Sequence, residues 1–343
     1  MTTKVRIAMV IGDPSGIGPE ITAKVLADAT ARQQANILLI ADRAEVEQGM
    51  RYAGSQFPYK AVASPDAFAE APGEAVTLYD FRGNTSGPFA IGQSNEMSGR
   101  YCLDTLKVAV SLARAGKVDG IAYAPLNKTS LHLAGMTQGG GELSWFAEQL
   151  GYTGPYTEFN VLGDLWTSRV TSHVAIQKVS SLLTQEAIIE VAELTHGALR
   201  QSGLAEPRMA VCGLNPHNGD NGNFGREEID VIAPAVKRLR AKGMQVDGPF
   251  PPDTIFIKVQ GENKEYDAIV TMYHDQGQIA MKLMGFWRGV TVLGGLPVPV
   301  TTTAHGSGFD IVGKGKANPG SLRNALGLAC RMAQTKQQAA TRS

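Results

Sequence analysis

Three of the six histidines occupy the same kind of position in the sequence, and imidazole is a side chain that binds metals and transfers protons. His173, His217 and His274 each follow an apolar run that is typical of a buried strand. In open α/β sheets, chemistry takes place in loops at the carboxyl ends of strands. Three protein ligands with one open coordination position are typical of a catalytic metal site. The sequence therefore offers these histidines as metal ligands, with three unrelated loop residues as the alternative.

The elements that would position the histidines alternate between strands and helices. Apolar runs predict strands at Val5–Ile11, Ala35–Ala41, Ala75–Tyr79 and Val118–Ala124. Helical periodicity predicts helices at Glu20–Ala29, Ser94–Ala115, Leu143–Leu150, Gln185–Ser202, Glu227–Lys242 and Leu322–Ala333. Glycine and proline favour connections over most of 53–90, from residue 247 to 249 and from 285 to 297, and the polar tail 334–343 is expected to be disordered. This alternation predicts the α/β class.

Length and charge narrow the class of protein. A chain of 343 residues favours roughly two domains. Lysine plus arginine and aspartate plus glutamate both number 32, so the zero net charge argues against nucleic acid or an anionic membrane as the main partner. No apolar run approaches the ~20 residues of a membrane span. The first ten residues lack the form of a signal peptide, and Cys102, Cys212 and Cys330 are too scattered for a disulfide framework, so a cytoplasmic protein is expected.

Two glycine-containing segments could bind ligands through their backbone. Gly12–Glu20 follows the first strand and opens a helix, so its N–H groups could face an anion, although a plain strand-to-helix turn is the alternative. Gly139, Gly140 and Gly141 are consecutive, which allows close backbone approach to a ligand.

Several motifs together resemble one family. Gly-Asp-Pro-Ser-Gly-Ile-Gly-Pro-Glu at 12–20, Asn-Pro-His at 215–217 and Tyr-His-Asp-Gln-Gly at 273–277 resemble the 4-hydroxythreonine-4-phosphate dehydrogenase family of pyridoxal phosphate synthesis. The resemblance implies two α/β/α domains with an interdomain cleft, as in isocitrate and isopropylmalate dehydrogenases. The first domain would contain 1–130 and 292–343, and the second 131–291. The resemblance also implies a homodimer with active sites at the subunit interface.

The resemblance implies two cofactors. A divalent metal would be bound by His173, His217 and His274, with zinc expected first and cobalt, manganese or magnesium as alternatives. The segment 304–315 is similar to the NAD loop of isocitrate and isopropylmalate dehydrogenases, which implies NAD or NADP binding by His305, Gly306, Ser307, Asp310 and Gly313. A carboxylate at Asp310 near the ribose would favour NAD.

The implied reaction oxidises a secondary alcohol β to a carboxylate, and the β-keto acid then loses carbon dioxide. Lys282 and Lys128 are candidates for pairing the carboxylate or transferring a proton. Asp253 and Asp275 could hold ligand imidazoles in one tautomer, with loop capping as the alternative. A metal-dependent lyase or hydrolase that uses no NAD is the alternative from a different class, and the intact 305–315 segment argues against it.

The substrate pocket departs from the family pattern. Gly140 and Gly141 stand where the family has His and Thr, and its later Asn and Arg fall near Thr291 and Val300, while Lys282 is retained. Each lost charge-assisted contact is worth ~1.5–3 kcal/mol. We therefore expect an altered small-molecule substrate bound by Gly140, Gly141, Lys282 and Thr291. The alternative is a cis-dihydrodiol dicarboxylate of the terephthalate type, whose flat ring would suit nearby Trp145.

Overall fold

The computed structural model describes residues 4–70, 75–81, 88–136 and 141–342, and these form alternating strands and helices. The strands are β1 Arg6–Val10, β2 Asn36–Ala41, β3 Tyr59–Val62, β4 Val76–Asp80, β5 Gly120–Tyr123, β6 Thr157–Leu162, β7 Leu165–Arg169, β8 Arg208–Cys212, β9 Gln245–Phe250, β10 Ala268–Thr271, β11 Val290–Gly294 and β12 Val300–Thr303. The helices are α1 Gly18–Ala27, α2 Ala29–Gln33, α3 Arg43–Ala53, α4 Glu96–Arg114, α5 Lys128–Leu133, α6 Gly141–Leu150, α7 Val179–Leu182, α8 Gln185–Gln201, α9 Ala233–Ala241, α10 His274–Gly285 and α11 Gly320–Arg342. The predicted α/β class is confirmed.

The chain forms two compact units, the first from residues 1–153 and 296–343 and the second from 154–295. These boundaries fall later than the expected 130/131 and 291/292. The physical reason is that α6 packs within the first unit, where the ring of Phe146 stacks on Tyr123 of β5 at 5.5 Å between centroids.

The first unit contains a sheet of six parallel strands in the order β3-β4-β2-β1-β5-β12. Alternate residues of β1 and its extension, Ile7, Met9 and Ile11, pack in one cluster with Leu322 and Leu326 of α11. Strands buried in this way read as continuous apolar runs, which is why β1 and β2 were predictable.

The second unit has the strand order β11-β6-β7-β10-β8-β9, in which β7, β10, β8 and β9 are parallel. Strand β6 runs antiparallel to both β7 and β11. Helices cover opposite faces: Ser168 of β7 accepts a hydrogen bond from Thr195 of α8, whereas Asn160 of β6 accepts one from Gln278 of α10. The carboxyl ends of β7, β10 and β8 consequently lie along one edge of the sheet.

Two sequence expectations about connections and termini were wrong. Stretches 247–249 and 285–297, expected as loops, contribute to β9 and β11. The tail was expected to be disordered, yet α11 continues to Arg342. Its Gln, Lys and Ala residues are good helix formers without an interrupting glycine or proline. Among the described residues, none of the helices combines the length and apolar character that crossing a bilayer requires.

Glycine substitutions in two helices should have opposite effects on stability. A β-carbon at Gly99 of α4 would lie 1.9 Å from the carbonyl oxygen of Ser130, whereas at Gly197 of α8 it would meet nothing within 4 Å. Gly99→Ala should therefore lower the free energy of unfolding by ~1–3 kcal/mol or more through overpacking. Gly197→Ala, the matched control, should raise it by ~0.5–1 kcal/mol. Urea denaturation measures both, and equal effects would contradict the close approach of α4 and α5.

Candidate functional site

The three predicted ligand histidines follow three neighbouring parallel strands of the second unit. His173 lies four residues after β7, His274 is the first residue of α10 just after β10, and His217 lies five residues after β8. Because β10 is hydrogen-bonded to both β7 and β8, the three loops begin at adjacent positions on the same sheet edge. Adjacent strands are ~4.8 Å apart, so neighbouring loops can share a site.

Hydrogen bonds join these loops to one another. Thr171 donates its backbone N–H and its hydroxyl to the carbonyl of Met272, at 3.0 and 2.8 Å. The side chain of Gln276 accepts from the N–H of Met272 (2.8 Å) and donates to the carbonyl of Gly213 (3.0 Å). The loop after β10 is thus tied to both of its neighbours. Sequence reasoning assigned Gln276 no role, although it lies inside the motif at 273–277.

His173 and His274 form a pair of adjacent imidazoles. Their ring centroids are 5.7 Å apart, and the rings are tilted by 42°. The carboxylate of Asp275 lies 2.7 Å from Nδ1 of His274. A carboxylate at one ring nitrogen favours presentation of the other nitrogen to a ligand. This contact is the one proposed for Asp275 from the sequence, whereas the exposed Asp253 makes no side-chain hydrogen bond to any described residue.

His217 lies in an unusual turn. All five residues from His217 to Asn221 have positive φ, between 42° and 78°. For residues other than glycine, this left-handed conformation costs roughly 1–2 kcal/mol each, so the surrounding structure must hold the turn. Glu228, only 3% exposed, does so from one side: its Oε1 accepts the N–H groups of Leu214 and Asn215, both at 2.7 Å.

The described part of one chain assembles only two of the three predicted ligands. Within the described ranges, no three or more histidine, cysteine, aspartate or glutamate residues lie close enough together to hold a metal. The ring of His217 lies 6.3 Å from that of Phe224. The imidazoles of His173 and His274 suit a divalent transition metal, but they supply two ligands where a catalytic zinc site uses three.

A cavity of about 230 Å³ adjoins the histidine pair. Its polar side is formed by Thr171, His173, Tyr273, His274 and Asp275, and its apolar side by Val174, Ile176 and Val179. A small molecule in this cavity would contact both imidazoles and an aliphatic wall.

A buried arginine lies beside this site. The side chain of Arg169 is 6% exposed and donates to Asn160 (2.8 Å), Glu158 (2.8 Å) and Ser172 (2.9 Å). Ser172 immediately precedes His173, so the guanidinium braces the start of that loop. Arg169 is the last residue of β7, and no sequence pattern pointed to its role.

The same network reaches two other predicted elements. Asn160 also accepts a hydrogen bond from Gln278, one turn after His274 on α10. The amide of Asn160 lies 3.4 Å from the hydroxyl of Thr291 on β11. The half-buried Thr291 therefore faces a polar cluster, and its role in binding substrate stays a prediction. Lys282 is exposed on α10.

The predicted cofactor residues lie in the first unit, around a 3-10 turn at Phe309–Ile311. Asp310 is exposed, whereas Ser307 is buried. Nδ1 of His305 is 3.0 Å from the carbonyl of Gly306, and burial lowers the pKa of this imidazole despite that contact. A lowered pKa favours the neutral form of this ring.

The geometry does not support the hypothesis that Gly12–Glu20 binds an anion. The whole segment is buried, and the N–H groups of Gly16 and Ile17 donate to the carbonyls of Asp13 (3.0 Å) and Ser307 (2.9 Å). The plain turn is the better description, with the added feature that it contacts the segment predicted to bind the cofactor.

The remaining predicted residues vary in exposure. Lys128 begins α5 and is exposed, and Gly141 begins α6 with a φ of 63°. Val300 is fully buried in β12, where it cannot contact a ligand. Gly140 lies outside the described residues.

Comparisons with known proteins identify the family. The family model described as "Pyridoxal phosphate biosynthetic protein PdxA" matches residues 33–329. A Pseudomonas aeruginosa protein named "Putative 4-hydroxythreonine-4-phosphate dehydrogenase 2" is 56% identical over 333 residues, which cover 96% of this chain and 98% of that protein. The D-threonate 4-phosphate dehydrogenase of Pectobacterium atrosepticum is 37% identical over 333 residues, covering 95% and 99%.

Solved structures agree. The 4-hydroxythreonine-4-phosphate dehydrogenase of Klebsiella pneumoniae has a TM-score of 0.81 and 35% identity, covering 97% of this chain and 99% of that one. A terephthalate 1,2-cis-dihydrodiol dehydrogenase from Burkholderia xenovorans has a TM-score of 0.64 and 30% identity, covering 95% and 98%. The fold and these relatives define an enzyme of the dehydrogenase class. The chain belongs to the PdxA family of 4-hydroxythreonine-4-phosphate dehydrogenases, as its motifs predicted.

Removing the buried arginine should destabilise the second unit. Arg169→Met would leave Glu158 and Asn160 without their main partner, and we expect a loss of about 3 kcal/mol in the free energy of unfolding, near the low end for a broken buried ion pair because Glu158 is partly exposed. Arg226→Met removes an equally close but exposed pair with Asp230 and should cost at most ~0.5 kcal/mol. Urea denaturation decides, and similar losses in the two variants would mean that the Arg169 network is not stabilising.

Proposed function

We propose that the protein is a metal-dependent, NAD- or NADP-dependent dehydrogenase that oxidises a secondary alcohol β to a carboxylate, with decarboxylation. The observation that carries the proposal is the His173–His274 pair, with Asp275 on one ring nitrogen, at the carboxyl edge of the sheet. Membership of a family whose relatives are named dehydrogenases supports the same reaction class.

The residues divide the chemistry between them. A divalent metal bound by the histidines would lower the pKa of the substrate alcohol. When bound, NAD or NADP would supply the hydride acceptor for the alcohol carbon, and His305, Gly306, Ser307, Asp310 and Gly313 would hold it. The hydroxyl proton would pass to a base. The carbon–carboxyl bond then breaks, carbon dioxide leaves, and a proton returns to carbon. Lys282, exposed on the same helix as His274, and Lys128 are our candidates for these proton transfers.

We propose that the metal site is completed in a homodimer. One chain brings together His173 and His274, and His217 would come from the second copy. The exposure of His217 and the absence of a three-ligand group among the described residues of one chain favour this arrangement. It agrees with the interface active site that the sequence resemblance implied.

Mixing two ligand variants tests the shared site. Homodimers of His173→Ala or of His217→Ala should each lose metal, because every site lacks one ligand. If the site is shared, co-refolded heterodimers carry one intact site and should bind about one metal per dimer. Metal content by mass spectrometry reads the result without a substrate. If the heterodimers contain as little metal as the two variant homodimers, the shared site is contradicted. If both variant homodimers retain their metal, the assignment of the histidines as ligands is contradicted.

We propose further that the substrate differs from that of the family's named members. Thr291 and Gly141 stand where the family holds a phosphate, and Lys282, a point charge, can pair a carboxylate as well as a phosphate. An unphosphorylated hydroxy acid fits best. A cyclic cis-diol carboxylate is the second candidate, favoured by the likeness to the terephthalate diol enzyme.

Kinetics on a panel of acids test the substrate. We expect 4-hydroxythreonine 4-phosphate and D-threonate 4-phosphate to show kcat/KM lower by a hundredfold or more than the best unphosphorylated hydroxy acid or diol carboxylate, because at least two charge-assisted contacts are lost. NADH formation measures the rates, with chelator-treated enzyme as the control. A phosphorylated substrate with kcat/KM of ~10⁴ M⁻¹s⁻¹ or above would refute the altered pocket.

A further inference from the structure

We propose that Glu20 and Lys24 are positioning residues that order the segment 307–317 and thereby set the affinity for the nicotinamide cofactor. The inference rests on the proposed cofactor role of that segment. It assigns a function to the Gly12–Glu20 motif, for which the geometry does not support anion binding.

The ammonium of Lys24 is fully used by this interaction. Nζ donates to Oε1 of Glu20 (2.8 Å) and to the carbonyls of Gly315 (2.9 Å) and Ala317 (2.8 Å). An ammonium has three protons, so all its donors have a partner. Two of the three partners are backbone groups of the far segment, almost 300 residues away in sequence.

Glu20 completes the contact. Its side chain is buried, and Oε1 also accepts the N–H of Ala317 at 2.9 Å. The pair therefore binds both the backbone donor and the backbone acceptor of one residue, Ala317. A buried carboxylate is retained only with such partners, because desolvation of an unpaired charge is costly.

The segment is anchored a second time at its other end. Ile17, just before α1, donates its N–H to the carbonyl of Ser307 at 2.9 Å. A β-carbon at Gly16 would lie 2.7 Å from that same carbonyl oxygen, so only glycine allows the approach. The motif thus contacts both ends of the segment.

Between the anchors the segment is open to solvent. Ser307 and Ala317 are buried, whereas Asp310 and residues 313–316 are exposed. Fixed ends with an exposed middle suit a loop that receives a ligand without reorganising. Preorganisation of this kind raises affinity by lowering the ordering entropy that binding would otherwise cost. Freeing one end should reduce the fraction of binding-competent loop, and the apparent Kd rises by the same factor.

The test uses the full-length protein and NADH. Lys24→Met removes the ammonium, and the double variant Glu20→Gln/Lys24→Met avoids leaving a buried carboxylate alone. The matched control is Arg100→Met, which breaks an exposed pair with Glu96 of the same i,i+4 spacing, in the same unit. The measurements are Kd for NADH by fluorescence titration, hydrogen exchange of residues 307–317, and metal content.

In Lys24→Met and in Glu20→Gln/Lys24→Met, we expect Kd for NADH to rise about tenfold or more and hydrogen exchange across 307–317 to become faster. Both variants should keep their metal content, and Arg100→Met should show no change in any of the three measurements. If a variant that lacks Lys24 binds NADH with the Kd of the wild type, the inference is overturned and the proposed function is left intact. Wild-type protein that binds neither NADH nor NADPH would overturn the cofactor assignment itself. In that case, hydrogen exchange across 307–317 still decides whether Glu20 and Lys24 order the segment.

Discussion

Parallel pairing of β10 with β7 on one side and β8 on the other is the constraint on which the candidate site depends. Backbone hydrogen bonds fix the direction of all three strands, so their carboxyl ends share one edge and their loops must be neighbours. Residues 101 positions apart, such as Thr171 and Met272, then meet without any local signal between them. Thr171 and Gln276 add side-chain hydrogen bonds that convert adjacent loops into one connected layer.

The features of the molecule that could be predicted are those that local sequence patterns determine. The α/β class followed from alternating apolar runs and amphipathic helices, and the family followed from three motifs. The position of His173, His217 and His274 after strands also followed, because an apolar run ends visibly where a loop begins. Strand β11 was hidden by the glycines around it, and the polar end of α11 was hidden because it buries little.

What could not be predicted depends on partners that only the fold brings together. No sequence pattern singled out Arg169, because its role comes from hydrogen bonds to Glu158 and Asn160 on the neighbouring strand β6. Gly12–Glu20 has the form of an anion-binding loop, and only the position of Ser307 shows that the N–H of Ile17 is already hydrogen-bonded. Spacing likewise cannot tell whether three histidines meet within one chain.

The left-handed turn at His217–Asn221 has a consequence for how this stretch can vary. Every residue in it, His-Asn-Gly-Asp-Asn, belongs to the few types that tolerate positive φ, and β-branched or bulky residues do so poorly. The backbone conformation, in addition to any chemical requirement, therefore restricts which residue types can occupy this turn. A relative with any other chemistry at this turn would still be restricted to glycine, asparagine, aspartate and a few similar residues here. Retention of such residues in a distant sequence accordingly reflects the backbone conformation and is not by itself evidence of shared activity.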